Sequence, residues 1–307
     1  MSTATVVWGR GPAIEPLAAS LLAAGISVRE IWYQDAISAL PEMVKHQLAC
    51  TVDGVPLIGE VNSSARVLER LDGLPQVHTI AEVFYTKMIG RQILDRVKVI
   101  NIHPAPLPRY RGAHPLPWQI IRGETESAVT FHLAEAEIDA GPIIDQVPFR
   151  IDESDDYSSV LDKVCAIIRM SAGSMFAEFA CGQLSPRSQD HEQATYVVKR
   201  TPQDGWISWR QASRDVRNFV RALTAPLPGA WSLWNGQKVI FDAVEVDERF
   251  AKYTGRTPGQ VAMLGGTLGV LTADSAVLPR RIRDAESGRD VTKDLRINDR
   301  FTSPLVS

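Results

Sequence analysis

Residues 3–33 read TATVVWGRGPAIEPLAASLLAAGISVREIWY. Thr3 to Trp8 is a short apolar run of strand character, and Gly9-Arg10-Gly11-Pro12 breaks it. Ile14 to Ala24 has the composition of an apolar helix, and Gly25 ends it. Ile26 to Tyr33 returns to strand-forming residues. A strand, a helix and a second strand in so short a span predict a parallel sheet flanked by helices. The alternation continues outward from this opening. A helix is expected over 41–52, a short strand over 54–58 and a helix over 63–71, with Ser63 or Ser64 as its N-cap. A buried strand follows over 77–85, a short helix over 89–95 and a strand over 97–102. The fold class expected for this part is α/β, a doubly wound and mostly parallel Rossmann-like sheet. Further on, 114–121 reads as a helix, 127–133 as a strand and 155–180 as a long helix.

The character changes in the second part. Residues 184–193 are polar, contain Pro186 and suit a linker. From Ile207 onward come one helix (215–223) and short strands split by turn residues, at 231–233, 238–244, 259–263 and 269–272. Such spacing predicts a small all-β barrel of OB-like type. The expected organisation is a catalytic domain over 1–190, a linker over 191–204 and a barrel over 205–307. With 307 residues, two domains fit the usual domain size.

Composition narrows the class further. The net charge is -3, but it is unevenly spread. Residues 199–307 hold 17 Lys+Arg against 12 Asp+Glu. That excess could attract a phosphate-bearing substrate, yet without a motif it does not imply nucleic-acid binding. The three cysteines, Cys50, Cys165 and Cys181, form no C-x-x-C pair, so neither a zinc site nor a disulfide framework is suggested. No apolar run approaches the roughly 20 residues that span a membrane, and Met1 to Arg10 lacks the pattern of a signal peptide. The expectation is a cytoplasmic protein without a metal.

The densest polar signal is Asn101-Ile102-His103, at a strand's end and followed by a proline-rich loop. Ligands bind at the carboxyl ends of strands in open α/β sheets. Residues two apart on a strand share a face. A carboxamide can stabilise an oxyanion, and an imidazole can move a proton. Glu137-Ile138-Asp139-Ala140-Gly141 offers the missing carboxylate. If the 127–133 strand lies beside 97–102, both loops should emerge at one edge and Asp139 should reach His103. Each residue alone has a plainer reading. A histidine after a strand is usually structural, Asn101 could cap a loop, and Asp139 before Ala-Gly suits an ordinary turn.

Taken together, several blocks resemble the folate-dependent formyltransferase family. They are Asn101 to Ala113 (NIHPAPLPRYRGA), Pro117 to Glu124, Ala128 to His132 and Glu137 to Ile144. The resemblance resumes at Asp204 to Trp209, Val220 to Thr224 and Pro226 to Ala230, and is weakest over 1–75. It implies 10-formyltetrahydrofolate as donor and an amine as acceptor. It also implies Asn101, His103 and Asp139 as the catalytic residues, with the proton going to His103 or Asp139. The pterin would lie against Tyr85, Lys87, Met88 and Ile89 and the loop at Ile138 and Gly141.

Two departures bear on the acceptor. Gly9-Arg10-Gly11-Pro12 replaces the Gly-Thr-Pro-type turn of tRNA-directed members. Residues 34–54 also lack the basic insertion that reaches a tRNA arm. A small-molecule amine (an amino sugar nucleotide, amino acid or hydroxylamine) is therefore the expected partner, with methionyl-tRNA as the alternative. Arg109, Arg111 and His114 flank this loop as candidate substrate contacts, against a reading of the two arginines as solvated loop charges. Trp118 reads as core packing. An NAD-type oxidoreductase using Gly9-x-Gly11 and Asp35 lacks the third glycine, since Ile14 stands there. A folate-binding module that hydrolyses the donor is the other competitor.

Overall fold

The computed structural model describes residues 4–39, 45, 48, 52 and 54–302. The helix expected over 41–52 falls mainly outside them. The chain divides into two compact units. One comprises 1–115, 126–150 and 161–198; the other comprises 116–125, 151–160 and 199–307.

In the first unit the elements run β1 (Ala4–Gly9), α1 (Ile14–Ala23), β2 (Ser27–Tyr33), β3 (Leu57–Ile58), α2 (Ser64–Asp72), β4 (Val77–Val83), α3 (Arg91–Leu94), β5 (Lys98–His103) and β6 (Arg111–Gly112). Helix α4 (Pro115–Ile121), all but its first residue assigned to the other unit, is followed by β7 (Glu126–Leu133), β8 (Ile143–Arg150), α5 (Tyr157–Ala180), whose first turn is also assigned to the other unit, and β9 (Tyr196–Val197). Seven strands form one sheet in the order β3-β2-β1-β4-β5-β7-β8. The pairs from β3 to β5 are parallel, as a Rossmann-like arrangement requires. Strand β1 is buried along its whole length, which is why it reads as an apolar run rather than an alternation. Ser63 caps α2 by accepting from the Arg66 amide. Helix α5 lies close against α1, where the Gly173 amide donates to Ser20 Oγ at 2.9 Å.

The sheet differs from expectation at one edge. Strands β7 and β8 are antiparallel additions, and β8 had not been foreseen. Its sequence, IIDQVPFR, carries Pro148 and is half exposed. An edge strand tolerates proline, so its pattern is weak. The antiparallel course of β7 also corrects the expected geometry of the site. Thr130 pairs with His103 and Leu133 with Ile100, so the loop after Leu133 starts at the other end of β5. It must turn back over the sheet face for Asp139 to reach His103. Gly141 allows this close return, because a Cβ there would sit 1.9 Å from the Leu133 carbonyl oxygen.

The second unit contains α6 (Ser213–Arg221), β10 (Ala230–Trp234), β11 (Gln237–Val246), β12 (Val261–Leu264), β13 (Thr267–Leu271), β14 (Ala276–Asp284) and β15 (Phe301–Thr302). Its antiparallel sheet runs β12-β13-β14-β11-β10-β15. An antiparallel bridge between Gln260 and Arg300 joins the two ends and closes it as a barrel. Strands β14 and β15 were not foreseen. Polar stretches such as the Pro-Arg-Arg in β14 hide its inward alternation. Trp209, Phe241 and Phe301 pack together inside, with ring centroids 5.1–5.6 Å apart.

Barrel closure depends on Gly259, which has φ +88 and would place a Cβ 2.3 Å from the Phe301 carbonyl oxygen. Gly259→Ala combines a left-handed backbone with a clash, so it should destabilise the barrel by about 2–4 kcal/mol. Thermal unfolding followed by circular dichroism should show the loss as a lowered midpoint.

Candidate functional site

Asn101 and His103 are the last residues of β5 on one face, at the carboxyl edge of the parallel part of the sheet. The register extends that face sideways. Asn101 pairs with Glu82 on β4 and with His132 on β7. Four polar side chains from three strands thus share a surface that the 134–142 loop folds over. His103 is buried. Its Nε2 lies 2.9 Å from the Tyr110 carbonyl oxygen, and its Nδ1 lies 3.5 Å from Asp139 Oδ2. Burial pushes the imidazole below its ordinary pKa, against the opposing pull of Asp139 and the Tyr110 carbonyl. At neutral pH the ring is uncharged and able to accept a proton.

Asp139 has φ +50, a conformation that Asp tolerates better than most residues. Its Oδ2 accepts the Gly112 amide N–H at 2.7 Å, and its Oδ1 lies 3.6 Å from His132 Nε2. Burial alone would raise its pKa. His103, His132 and the Gly112 amide overcome that and hold the carboxyl well below the usual carboxylate range. Asp139 is therefore a fixed negative charge and a poor proton acceptor, and His103 is the better base of the two.

The position of Asp139 is set from behind by Arg111, whose side chain is fully buried. Its Nη2 donates to Gln189 Oε1 at 2.8 Å and lies 3.2 Å from His191 Nδ1. Its Nη1 donates to Tyr196 Oη at 3.0 Å and to Glu137 at 3.4 Å. Gln189 in turn donates to the carbonyls of Asp139 and Gly141, at 2.8 and 2.7 Å. Arg111 is thus not a solvated loop charge, and its buried guanidinium holds the Asp139 loop rather than reaching outward for a ligand. Residues 187–197, which span the end of the stretch expected as a linker and the start of the linker assigned at 191–204, are built into this unit. Arg187 bridges Ile143, β9 pairs with β6, and the Tyr110 amide donates to Thr195 Oγ1. The proline-rich loop is held similarly. Thr130 Oγ1 donates to the Ala105 carbonyl at 2.6 Å, and Gln146 Nε2 donates to the Leu107 carbonyl at 2.9 Å.

The other candidates fall around this centre. Tyr85 is half-buried, with its ring 4.0 Å from that of Trp8, and burial and nearby Glu82 push its hydroxyl up to about 12. Lys87 is exposed and donates to the Asn62 carbonyl at 2.8 Å. Met88 and Ile138 are unusual large apolar side chains left in solvent, at 58% and 46% exposure. Ile89 packs on the core, and Gly141 is buried. Arg109 is exposed, with its guanidinium 6.0 Å from the Tyr110 ring. His114 is half-buried at φ +61. Trp118 lies in the other unit, with the Arg200 guanidinium 4.8 Å above its ring.

Three residues of the site were missed. Glu82 is almost fully buried, and its lone acid in the apolar run VHTIAEV was a usable signal. His132 becomes apparent only through the β5–β7 register. Gln189 acts across 48 and 50 residues of sequence, with no local signal. The first turn has a packing reason of its own. Gly9 is needed because a Cβ would sit 1.8 Å from the Val83 carbonyl oxygen, and Asp35 is paired with Arg10 at 3.3 Å.

An α/β sheet that carries an Asn–His–Asp constellation at a central strand's carboxyl end, followed by a small barrel, defines the class. Residues 63–167 match the family model described as Formyl transferase, and 199–293 match that described as Formyl transferase, C-terminal domain. The chain belongs to the formyl transferase family. It is 32% identical over 184 residues to the bifunctional polymyxin resistance protein ArnA of Wigglesworthia glossinidia brevipalpis, covering 59% of this chain and 28% of that protein. The chain thus spans under a third of that relative's length. The fold matches HypX from Aquifex aeolicus in complex with tetrahydrofolic acid, with a TM-score of 0.65 at 19% identity over 92% of this chain and 44% of HypX. It also matches an N-formyltransferase from Helicobacter canadensis in complex with folinic acid and dTDP-3-aminofucose. There the TM-score is 0.68 at 16% identity, over 91% of this chain and 99% of that one.

The depressed Asp139 pKa has a defined consequence for stability. Its contribution is fully present above the unfolded value of about 3.9 and is lost as pH falls through the folded value. Asp139→Asn should be less stable than the wild type by about 2 kcal/mol at pH 7. Denaturant titrations at a series of pH values should show the gap closing below about pH 4.

Proposed function

We propose that the protein transfers a formyl group from 10-formyltetrahydrofolate to the amine of a small molecule. The observation that carries this reading is the buried pairing of neutral His103 with ionised Asp139 beside Asn101. The amine nitrogen attacks the formyl carbon, and the carbonyl π electrons move onto oxygen. Asn101 donates an N–H to that oxyanion. His103 takes the amine proton, and Asp139 stabilises the resulting imidazolium. Collapse breaks the bond to the folate nitrogen, which recovers the proton from His103.

The donor's pterin is assigned to the loop of Tyr85, Lys87, Met88 and Ile89 and to Ile138 and Gly141. The exposure of Met88 and Ile138 supports this, because a flat aromatic ligand would cover both. Similar structures in complex with tetrahydrofolic acid and folinic acid support a folate donor. The acceptor is read as an amino sugar nucleotide, in keeping with the dTDP-3-aminofucose bound by the Helicobacter canadensis enzyme. Arg109 and His114 are the candidate acceptor contacts, whereas Arg111 acts by positioning Asp139. A cytoplasmic setting suits a folate donor, and no described helix is long and apolar enough to cross a membrane.

The test is donor consumption measured with nucleotide-linked amino sugars, amino acids, hydroxylamines and methionyl-tRNA. The expected result is turnover with an amino sugar nucleotide, reduced about 10²–10⁴-fold by His103→Ala and about 10²–10³-fold by Asn101→Ala. The wild-type rate should fall on the acid side as His103 protonates, with a midpoint below 6.5. Turnover only with methionyl-tRNA would replace the acceptor assignment. Acceptor-independent release of formate would make the protein a hydrolase.

A further inference from the structure

Glu82 is the one carboxyl on the site's face that the proposed chemistry leaves without a role. It stands in register with Asn101 and is 1% exposed. Its Oε1 accepts the Tyr85 backbone N–H at 2.6 Å, and Asn101 stands beside it across the β4–β5 register. Its Oε2 is buried with no hydrogen-bond partner. A buried carboxylate needs several donors to offset its lost hydration, and a bare buried oxygen is incompatible with a charge there. Asp139, nearby and ionised, adds repulsion.

We propose that Glu82 is a positioning residue: as an uncharged acid it accepts one N–H of the Asn101 carboxamide and leaves the other directed at the developing oxyanion. The inference rests on the formyl-transfer reading for its catalytic consequence. The same carboxyl also holds the first residue of the proposed pterin loop through the Tyr85 amide. A charge at this position would work against the reaction, because it would stand beside the oxygen that becomes negative.

Burial, followed by the smaller effect of Asp139, pushes the Glu82 carboxyl up to about 8, while Tyr85 and Asn101 pull the other way. Tyr85 ionises only near 12, His103 is neutral, Asp139 is already charged, and Trp8 on β1 is uncharged. His132 lies beyond Asn101 on β7.

The experiment compares full-length wild type, Glu82→Gln and Glu82→Ala. Rates are read across pH 6–10 with one acceptor, and stability across pH 4–9 is read without substrates. Gln keeps the acceptor oxygen and cannot ionise. Glu82→Gln should retain the neutral-pH rate within about threefold and lose an alkaline fall, near pH 8, that the wild type shows. Glu82→Ala should lower kcat at least tenfold. A raised carboxyl pKa favours the folded state most below its ordinary value of 4.5, and that advantage disappears as pH rises through about 8. Wild type should therefore lose stability over this window relative to Glu82→Gln. Parallel stability curves would overturn the proposal whatever the rates. So would an unchanged alkaline fall in Glu82→Gln, or a loss as large as that of Glu82→Ala. Diverging stability curves with no turnover of any acceptor by wild type would instead reject the formyl-transfer reading, leaving the uncharged carboxyl established without its catalytic role.

Discussion

The structure of the site depends on keeping one carboxylate charged while it is removed from water. Asp139 is 11% exposed at its side chain and lies between two imidazoles, with a backbone amide on one oxygen. Each partner is supplied by a different element: His103 by β5, His132 by β7 and Gly112 by β6. None of the three can shift without leaving the charge less well compensated, and a poorly compensated buried charge is expensive. This explains why the 134–142 loop accepts a positive φ at Asp139 and a close backbone approach at Gly141. The local strain is offset by the electrostatics it makes possible.

The support behind Asp139 follows the same logic at one remove. Arg111 is a second buried charge, and Gln189, His191, Tyr196 and Glu137 surround it. Gln189 converts that cluster into two hydrogen bonds on the Asp139 loop. A guanidinium offers its donors in a fixed plane, so it can hold a loop, a strand and a distant segment in one geometry. The chain around 187–197 is consequently as much a part of the site as the Asn101-Ile102-His103 stretch itself.

Two carboxyls on one face behave oppositely because their surroundings differ. Asp139 accepts the Gly112 amide, lies between two imidazoles and remains ionised. Glu82 receives one backbone amide, leaves an oxygen bare, and is driven toward its protonated form. Groups whose environments push their pKa values apart are a common way for one site to run acid and base chemistry at a single pH. In the proposed mechanism the separation also keeps the oxyanion side of the centre free of a competing charge.

The parallel core, the helices on its flanks, the presence of a barrel and the Asn101–His103 pair were all legible from residue order. Apolar runs, glycine breaks and period-2 spacing are local properties. The pairing of Asp139 with His103 was expected from two loops leaving one sheet edge, and it arises instead by a loop that returns from the other end of β5. The direction of β7 was not legible, because an eight-residue apolar strand reads the same whichever way it runs. Strand β8 was hidden by the proline and half-exposed pattern of an edge. The burial of Arg111, the role of Gln189 and the raised pKa of Glu82 are consequences of what surrounds each side chain. Those surroundings are assembled from segments up to 85 residues apart, and only folding brings them into one dielectric.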